Sequence, residues 1–274
     1  QILTLDELGC PKIFRELIEQ PQGLVLVTGP TGSGKSTTLY AALQEVAKQN
    51  VNVITVEDPI EYELAGMRQI QLIPSINFSF PQALRAILRH DPDVVMIGEM
   101  RDLETIHLAL TAAETGHLVF STIHTSSAPQ SIDRVIDVFP PDQQQQIRIM
   151  LSTSLVGILS QTLLPKVEGE AGDSPITAGR VMAMEILINT PAIANLIREA
   201  KTAQIYGSMQ MGAALGMQTL ESSLARLVKE GAVSRKEALS KSSRPEDLEQ
   251  LLGTSGSAGS QKSGYSADKA DRGF

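Results

Sequence analysis

The sequence predicts an α/β fold with a mainly parallel sheet followed by a mostly helical C-terminal subregion, and three observations carry that prediction. From Gly23 onward, short β-branched apolar runs alternate with helical stretches, the pattern of successive βαβ units. A glycine-rich stretch, Gly29–Ser36, separates the first apolar run from a helix. After Phe139-Pro140-Pro141 the alternation ends and helical spacing takes over.

Four strands are expected, at Leu24 to Thr28, Val51 to Val56, Val94 to Ile97 and Leu118 to Thr122. Each is nearly uniformly apolar, as strands covered on both faces must be. The helices between them have readable ends. Ser79 precedes Gln82 by three residues with Pro81 just inside, which is a capping box, and Asp102 opens a helix that Gly116 closes. Beyond Pro141, the apolar spacing predicts one long helix from Asp142 to roughly Leu163. Lys166 to Gly179 reads as an exposed loop leading to a short strand, Arg180 to Leu187. Thr190-Pro191 starts a further helix, and Leu220, Leu224, Leu227 and Val228 form a one-sided stripe ending at Gly231. The expected organisation is a lead-in over 1–22, a nucleotide-binding core over 23–140, a helical part over 141–252 and a disordered Gly/Ser-rich tail over 253–274.

Composition narrows the function classes. The 274 residues, 42% of them apolar, can bury a proper core without covalent staples. A single cysteine, Cys10, rules out a disulfide framework and any cysteine-based zinc site, so no structural zinc is expected. A formal net charge of -8 offers no basic field for a phosphate backbone, so nucleic acid is not an expected partner. No run approaches the roughly 20 apolar residues needed to cross a bilayer, and the first residues lack a signal pattern.

Gly29-Pro30-Thr31-Gly32-Ser33-Gly34-Lys35-Ser36 fits the P-loop pattern in the strand-to-helix context that the motif requires. Its glycines let backbone N–H groups turn inward on phosphates while the following helix presents its positive end. Lys35 is expected to reach the β and γ positions, Ser36 to ligate Mg²⁺ and Thr37 to donate toward an α-phosphate. Hydrolysis also needs a carboxylate that positions water or metal. Glu57, with Asp58, ends the second expected strand and Glu99 follows the third, at the carboxyl edge where ligands of such sheets bind. Ser36, Glu57 and Glu99 are the expected metal set, with ATP and Mg²⁺ as cofactors. The division of duties between Glu57 and Glu99 stays open at this level.

These residues carry a resemblance. Val56-Glu57-Asp58-Pro59-Ile60-Glu61 resembles the aspartate box of the secretion ATPase superfamily that serves type II secretion and type IV pili. Gly98-Glu99-Met100-Arg101-Asp102 is similar to its Walker B motif, with glycine before the glutamate where many P-loop enzymes carry the metal-binding aspartate. His117 through His124-Thr125-Ser126-Ser127-Ala128 resembles its histidine box, and the likeness runs from about Leu8 to Leu252. The absence of a cysteine-based zinc module, the element Ala192–Glu199 with Ala194 where arginine is usual, and Gly216-Met217-Gln218-Thr219-Leu220 resemble the retraction branch.

The resemblance implies a RecA-like core and ATP hydrolysis in a homo-hexamer that powers pilus retraction, and hence twitching, through an inner-membrane platform protein. It implies a place in the bacterial cytoplasm against the inner membrane, peripheral and not inserted. It implies that Glu57 and Glu99 polarise water and organise Mg²⁺, and that His124 and His117 sense the γ-phosphate. Arg101, Arg85 and Arg89 become candidates to neutralise phosphate charge, as an arginine finger does across a subunit boundary. Family members carry a PAS-like domain of about 100 residues before the motor, so this sequence is expected to be the motor part of a longer chain. The rival readings are an assembly or type II secretion ATPase without the zinc module, and a weakly hydrolysing regulatory subunit.

Overall fold

The computed structural model describes residues 3–167 and 179–253. Strands β1 (Gly23–Thr28), β2 (Val53–Glu57), β3 (Arg68–Gln71), β4 (Val94–Ile97), β5 (Leu118–Ile123), β6 (Leu155–Pro165) and β7 (Arg180–Ile188) form one sheet. Its order is β3-β2-β4-β5-β1-β6-β7. Every neighbouring pair is parallel except β6 with β7. All residues of β1, β2, β4 and β5 are buried, which is why these strands read as unbroken apolar runs.

Helices cover both faces. On one side α1 (Lys12–Ile18) and α2 (Lys35–Ala47) pack through Phe14, Ile18, Leu39 and Leu43 against Val25, Val27 and Phe120. On the other lie α3 (Phe80–Ile87), α4 (Leu103–Glu114), α5 (Ala128–Asp137), α6 (Pro141–Ser154) and α7 (Pro191–Arg198), centred on Leu24, Leu26, Val95, Ile97 and Ile158. After α8 (Ile205–Met211), helices α9 (Leu220–Lys229), α10 (Arg235–Lys241) and α11 (Pro245–Gly253) form a third cluster against Leu164 of β6 and Ala183 of β7. This is a RecA-like α/β layer with a helical appendage.

The expected helix ends are present. Ser79 and Gln82 make the reciprocal capping box of α3, the Asp102 carboxylate accepts from the Thr105 amide, and Thr190 caps α7. Gly116, at φ 110°, turns the chain out of α4 into β5.

The helix expected from Asp142 to Leu163 is a misreading of its second half. Helix α6 stops at Ser154 and the chain becomes β6, a parallel neighbour of β1. The sheet therefore continues past Pro141, where sequence spacing placed its end. A strand inserted between two others is as apolar as a buried helix, so periodicity does not separate them. Gly157 is the physical marker. A Cβ there would lie 2.8 Å from the Leu187 carbonyl and 2.9 Å from Leu17 Cδ1, so the strand is pressed between its neighbour and α1. Strand β3 carried no signal at all, because Arg-Gln-Ile-Gln is a half-exposed edge strand. The expected 166–179 loop lies mostly, and the expected tail almost wholly, outside the described residues.

Candidate functional site

The carboxyl ends of β1, β2, β4, β5 and β6 open onto one cavity of about 810 Å³, lined by Gly32–Thr37, Glu57, Gly98, Glu99, Arg101, His124 and Gln161 among others. The loop between β1 and α2 is built for close backbone approach. Gly29, Gly32 and Gly34 all have positive φ, and a side chain on Gly29 would strike the Gln161 carbonyl and the Ser33 hydroxyl. Gly34, at φ 87°, is the N-cap of α2, so the first free amides of that helix face the cavity.

Lys35 is 8% exposed. Its ammonium donates to the carbonyls of Gly29 at 3.0 Å and Pro30 at 3.1 Å, and its third proton points to His124 Nδ1 at 3.4 Å. Burial lowers its pKa, and the charge of Glu99 pushes the other way. A cation so placed, held by two backbone carbonyls and a ring nitrogen, is ready to exchange them for phosphate oxygens.

The two carboxylates are held differently. Glu57, 3% exposed, receives Tyr40 Oη on Oε2, and Thr55 Oγ1 at 2.6 Å and Gln69 Nε2 at 3.1 Å on Oε1. All three donors are neutral. Burial raises the Tyr40 phenol pKa first, and its bond to Glu57 adds to that, so Tyr40 stays a proton donor at neutral pH. Glu99 instead bridges Arg101 Nε at 2.7 Å and His124 Nε2 at 3.4 Å. With Nδ1 facing the Lys35 ammonium, His124 fits the tautomer protonated at Nε2. A continuous polar chain thus runs from the phosphate-loop lysine through His124 and Glu99 to Arg101. Its backbone is fixed by Thr122, whose hydroxyl donates to the Gly98 carbonyl at 2.6 Å and whose carbonyl accepts from the Met100 amide.

Other sequence candidates are elsewhere in the described chain. His117 stands at the amino end of β5 with Nδ1 3.0 Å from the Ala112 carbonyl, one strand length or about 20 Å from the opposite edge. Arg85 lies on α3, ion-paired with Glu104 of α4, and Arg89 Nε donates to the Arg85 carbonyl. None of the three lines the cavity.

Gln161 escaped the sequence reading, because it sits in the stretch read as helix. On β6 it is 3% exposed, and its Nε2 donates to the Ser33 carbonyl at 2.6 Å. It thereby ties the loop to β6. Gln161→Ala removes that support at a cost of about 1 kcal/mol. We expect a KM for ATP roughly fivefold higher with kcat little changed, in steady-state phosphate-release assays.

A loop built to wrap phosphate is common to many nucleotide binders; here two carboxylates and a histidine line the same cavity. The arrangement places the chain among the P-loop ATPases. More narrowly, residues 4–240 match the family model described as "Type II/IV secretion system protein", and the chain belongs to that family. It is 50% identical over 255 residues to the type IV pilus retraction ATPase PilT of Pseudomonas aeruginosa, covering 90% of this chain and 71% of that one. It is 46% identical over 254 residues to a twitching motility protein of Neisseria gonorrhoeae, covering 90% of this chain and 65% of that protein. A crystal structure of the pilus retraction motor PilT with bound ADP superposes with a TM-score of 0.81 at 46% identity, over 91% of this chain and 70% of that one.

Proposed function

We propose that this chain is the motor part of a pilus retraction ATPase, which hydrolyses ATP to drive conformational cycling of a homo-hexamer. The carrying observation is the polar chain Lys35–His124–Glu99–Arg101 beside the separately buried Glu57, all on one phosphate cavity. Glu57, whose charge meets only neutral donors, takes the proton of the attacking water. Glu99 holds His124 against Lys35, so that the state of the phosphate site is read by the loop after β5.

Among the described residues no cluster of three or more His, Cys, Asp and Glu could hold a metal alone. Mg²⁺ keeps much of its water and binds with substrate phosphates, and the Ser36 hydroxyl on the cavity wall is a ligand of the kind it takes. Ser36 would hold it, with Glu57 and Glu99 acting on its water shell, and it would supply neutralisation of developing phosphate charge. Of the three candidate arginines, Arg101 lines the cavity; Arg85, Arg89 and His117 would act only from a surface that a neighbouring subunit meets.

No helix of the described residues is long and apolar enough to cross a membrane. We place the protein at the cytoplasmic face of the inner membrane, bound to a platform protein, by its likeness to the pilus ATPases. Cells lacking the protein should carry more pili and lose twitching. Bare cells would instead mark an assembly motor, and normal pili and motility would sink both readings.

A further inference from the structure

One buried carboxylate lies outside the chemistry above. Glu185 of β7 is 2% exposed, and it accepts the amide N–H of Ala128 at 2.6 Å. Ala128 is the first residue of α5, four positions after His124. On either side of Glu185 along β7, the Met184 amide donates to Ser223 Oγ of α9 at 3.1 Å, and Ile186 exchanges backbone hydrogen bonds with Gln218 just ahead of that helix. The Glu185 side chain thus sits at the positive end of the helix that continues the histidine loop, on the strand segment that carries the start of the C-terminal appendage.

Both sides of this joint are stiff. Toward the nucleotide, Thr125 Oγ1 and Ser131 Oγ are 2.6 Å apart, Ser131 donates to the Ser127 carbonyl at 2.7 Å, and Ser127 caps α5. The loop after His124 is therefore fixed to α5. Toward the appendage, Glu221 of α9 is fully buried and accepts from Ser242, Ser243 and the Arg244 amide, with Tyr206 Oη at 3.1 Å. Tyr206 Oη is also 3.1 Å from Asp247 of α11, and the Arg244 guanidinium stacks 3.9 Å from the Tyr206 ring. This network binds α8, α9 and α11 into one piece.

We propose that Glu185 is a positioning residue for hydrolysis, which transmits displacement of the C-terminal helices to His124 and Glu99 by tying the start of α5 to the segment of β7 that carries α9. The inference rests on the ATPase reading above and extends it to a part of the chain that touches no substrate. Burial, and then the charge of Glu221 on α9, raise the Glu185 pKa to about 7, while the Ala128 and Leu220 amides and Arg244 oppose the rise. From α8 and α11, Tyr206 and Asp247 face Glu221. The ionised carboxylate is the stronger acceptor, so the tie tightens as pH rises through neutrality.

The test compares the full chain with Glu185→Gln and Glu185→Ala by amide hydrogen exchange, by affinity for a fluorescent ADP analogue and by ATP turnover from pH 6 to 8.5. In the wild type, protection of residues 124–131, corrected for intrinsic exchange, should rise across that range. Both variants should flatten the rise and lower kcat about tenfold, with nucleotide affinity within twofold. A variant that melts earlier yet keeps kcat per folded molecule and the wild-type pH profile would show a merely structural role and overturn the proposal. Should neither variant fold, pH-independent protection of 124–131 in the wild type overturns it equally. A wild type that hydrolyses no ATP would defeat the ATPase reading, while the exchange measurement would still decide whether the tie exists.

Discussion

Lys35→Ala is expected to lower ATP turnover by at least about a hundredfold, the scale seen when one preorganised charge stabiliser is removed from a phosphoryl-transfer site. Nucleotide affinity should fall too, because the ammonium is the only cation of the glycine-rich loop. The fold should survive. Lys35 bonds only to the Gly29 and Pro30 carbonyls and to His124, all at an open cavity where water can replace it. Melting temperature and phosphate release measured on the same preparation separate the two effects. Undiminished release from a folded variant would remove the basis of the phosphate site. Lys35→Arg should not rescue, since a planar guanidinium cannot occupy the three-point seat of an ammonium.

The phosphate loop was legible because its chemistry is local: the glycines, lysine and serine that wrap phosphate are consecutive in the chain. Glu57 and Glu99 were legible for a related reason, since fully buried strands announce their ends and ligands of parallel sheets meet carboxyl ends. Non-local support was not legible. Gln161 reaches Ser33 across more than a hundred residues of sequence, from a strand whose composition matches that of a buried helix. The Ala128–Glu185 contact likewise joins segments that no spacing relates. Edge strand β3 was silent because half-exposed polar residues can sit in a strand or a loop alike. His117 shows the converse. It belongs to the same box as His124, yet a strand carries the two to opposite edges of the sheet.

Glu57→Gln should separate binding from chemistry. Turnover should fall about a hundredfold to a thousandfold, within the range for loss of a general base, with nucleotide affinity within a fewfold of the wild type. The reason lies in the seat of the carboxylate. Its donors, Tyr40, Thr55 and Gln69, are protein groups, and none belongs to the phosphate loop. The amide keeps an oxygen for Thr55 and Gln69, and its nitrogen can donate to the Tyr40 oxygen, so size and packing are preserved while proton acceptance is lost. Glu99→Gln differs, because Arg101 and His124 meet separate oxygens and an amide keeps only one acceptor, so the substitution should also disturb the lysine side of the site. Stopped-flow binding of labelled ADP set against steady-state phosphate release distinguishes the two substitutions. Wild-type turnover in Glu57→Gln would transfer the base to Glu99, and equal losses of affinity and turnover would make Glu57 a binding group.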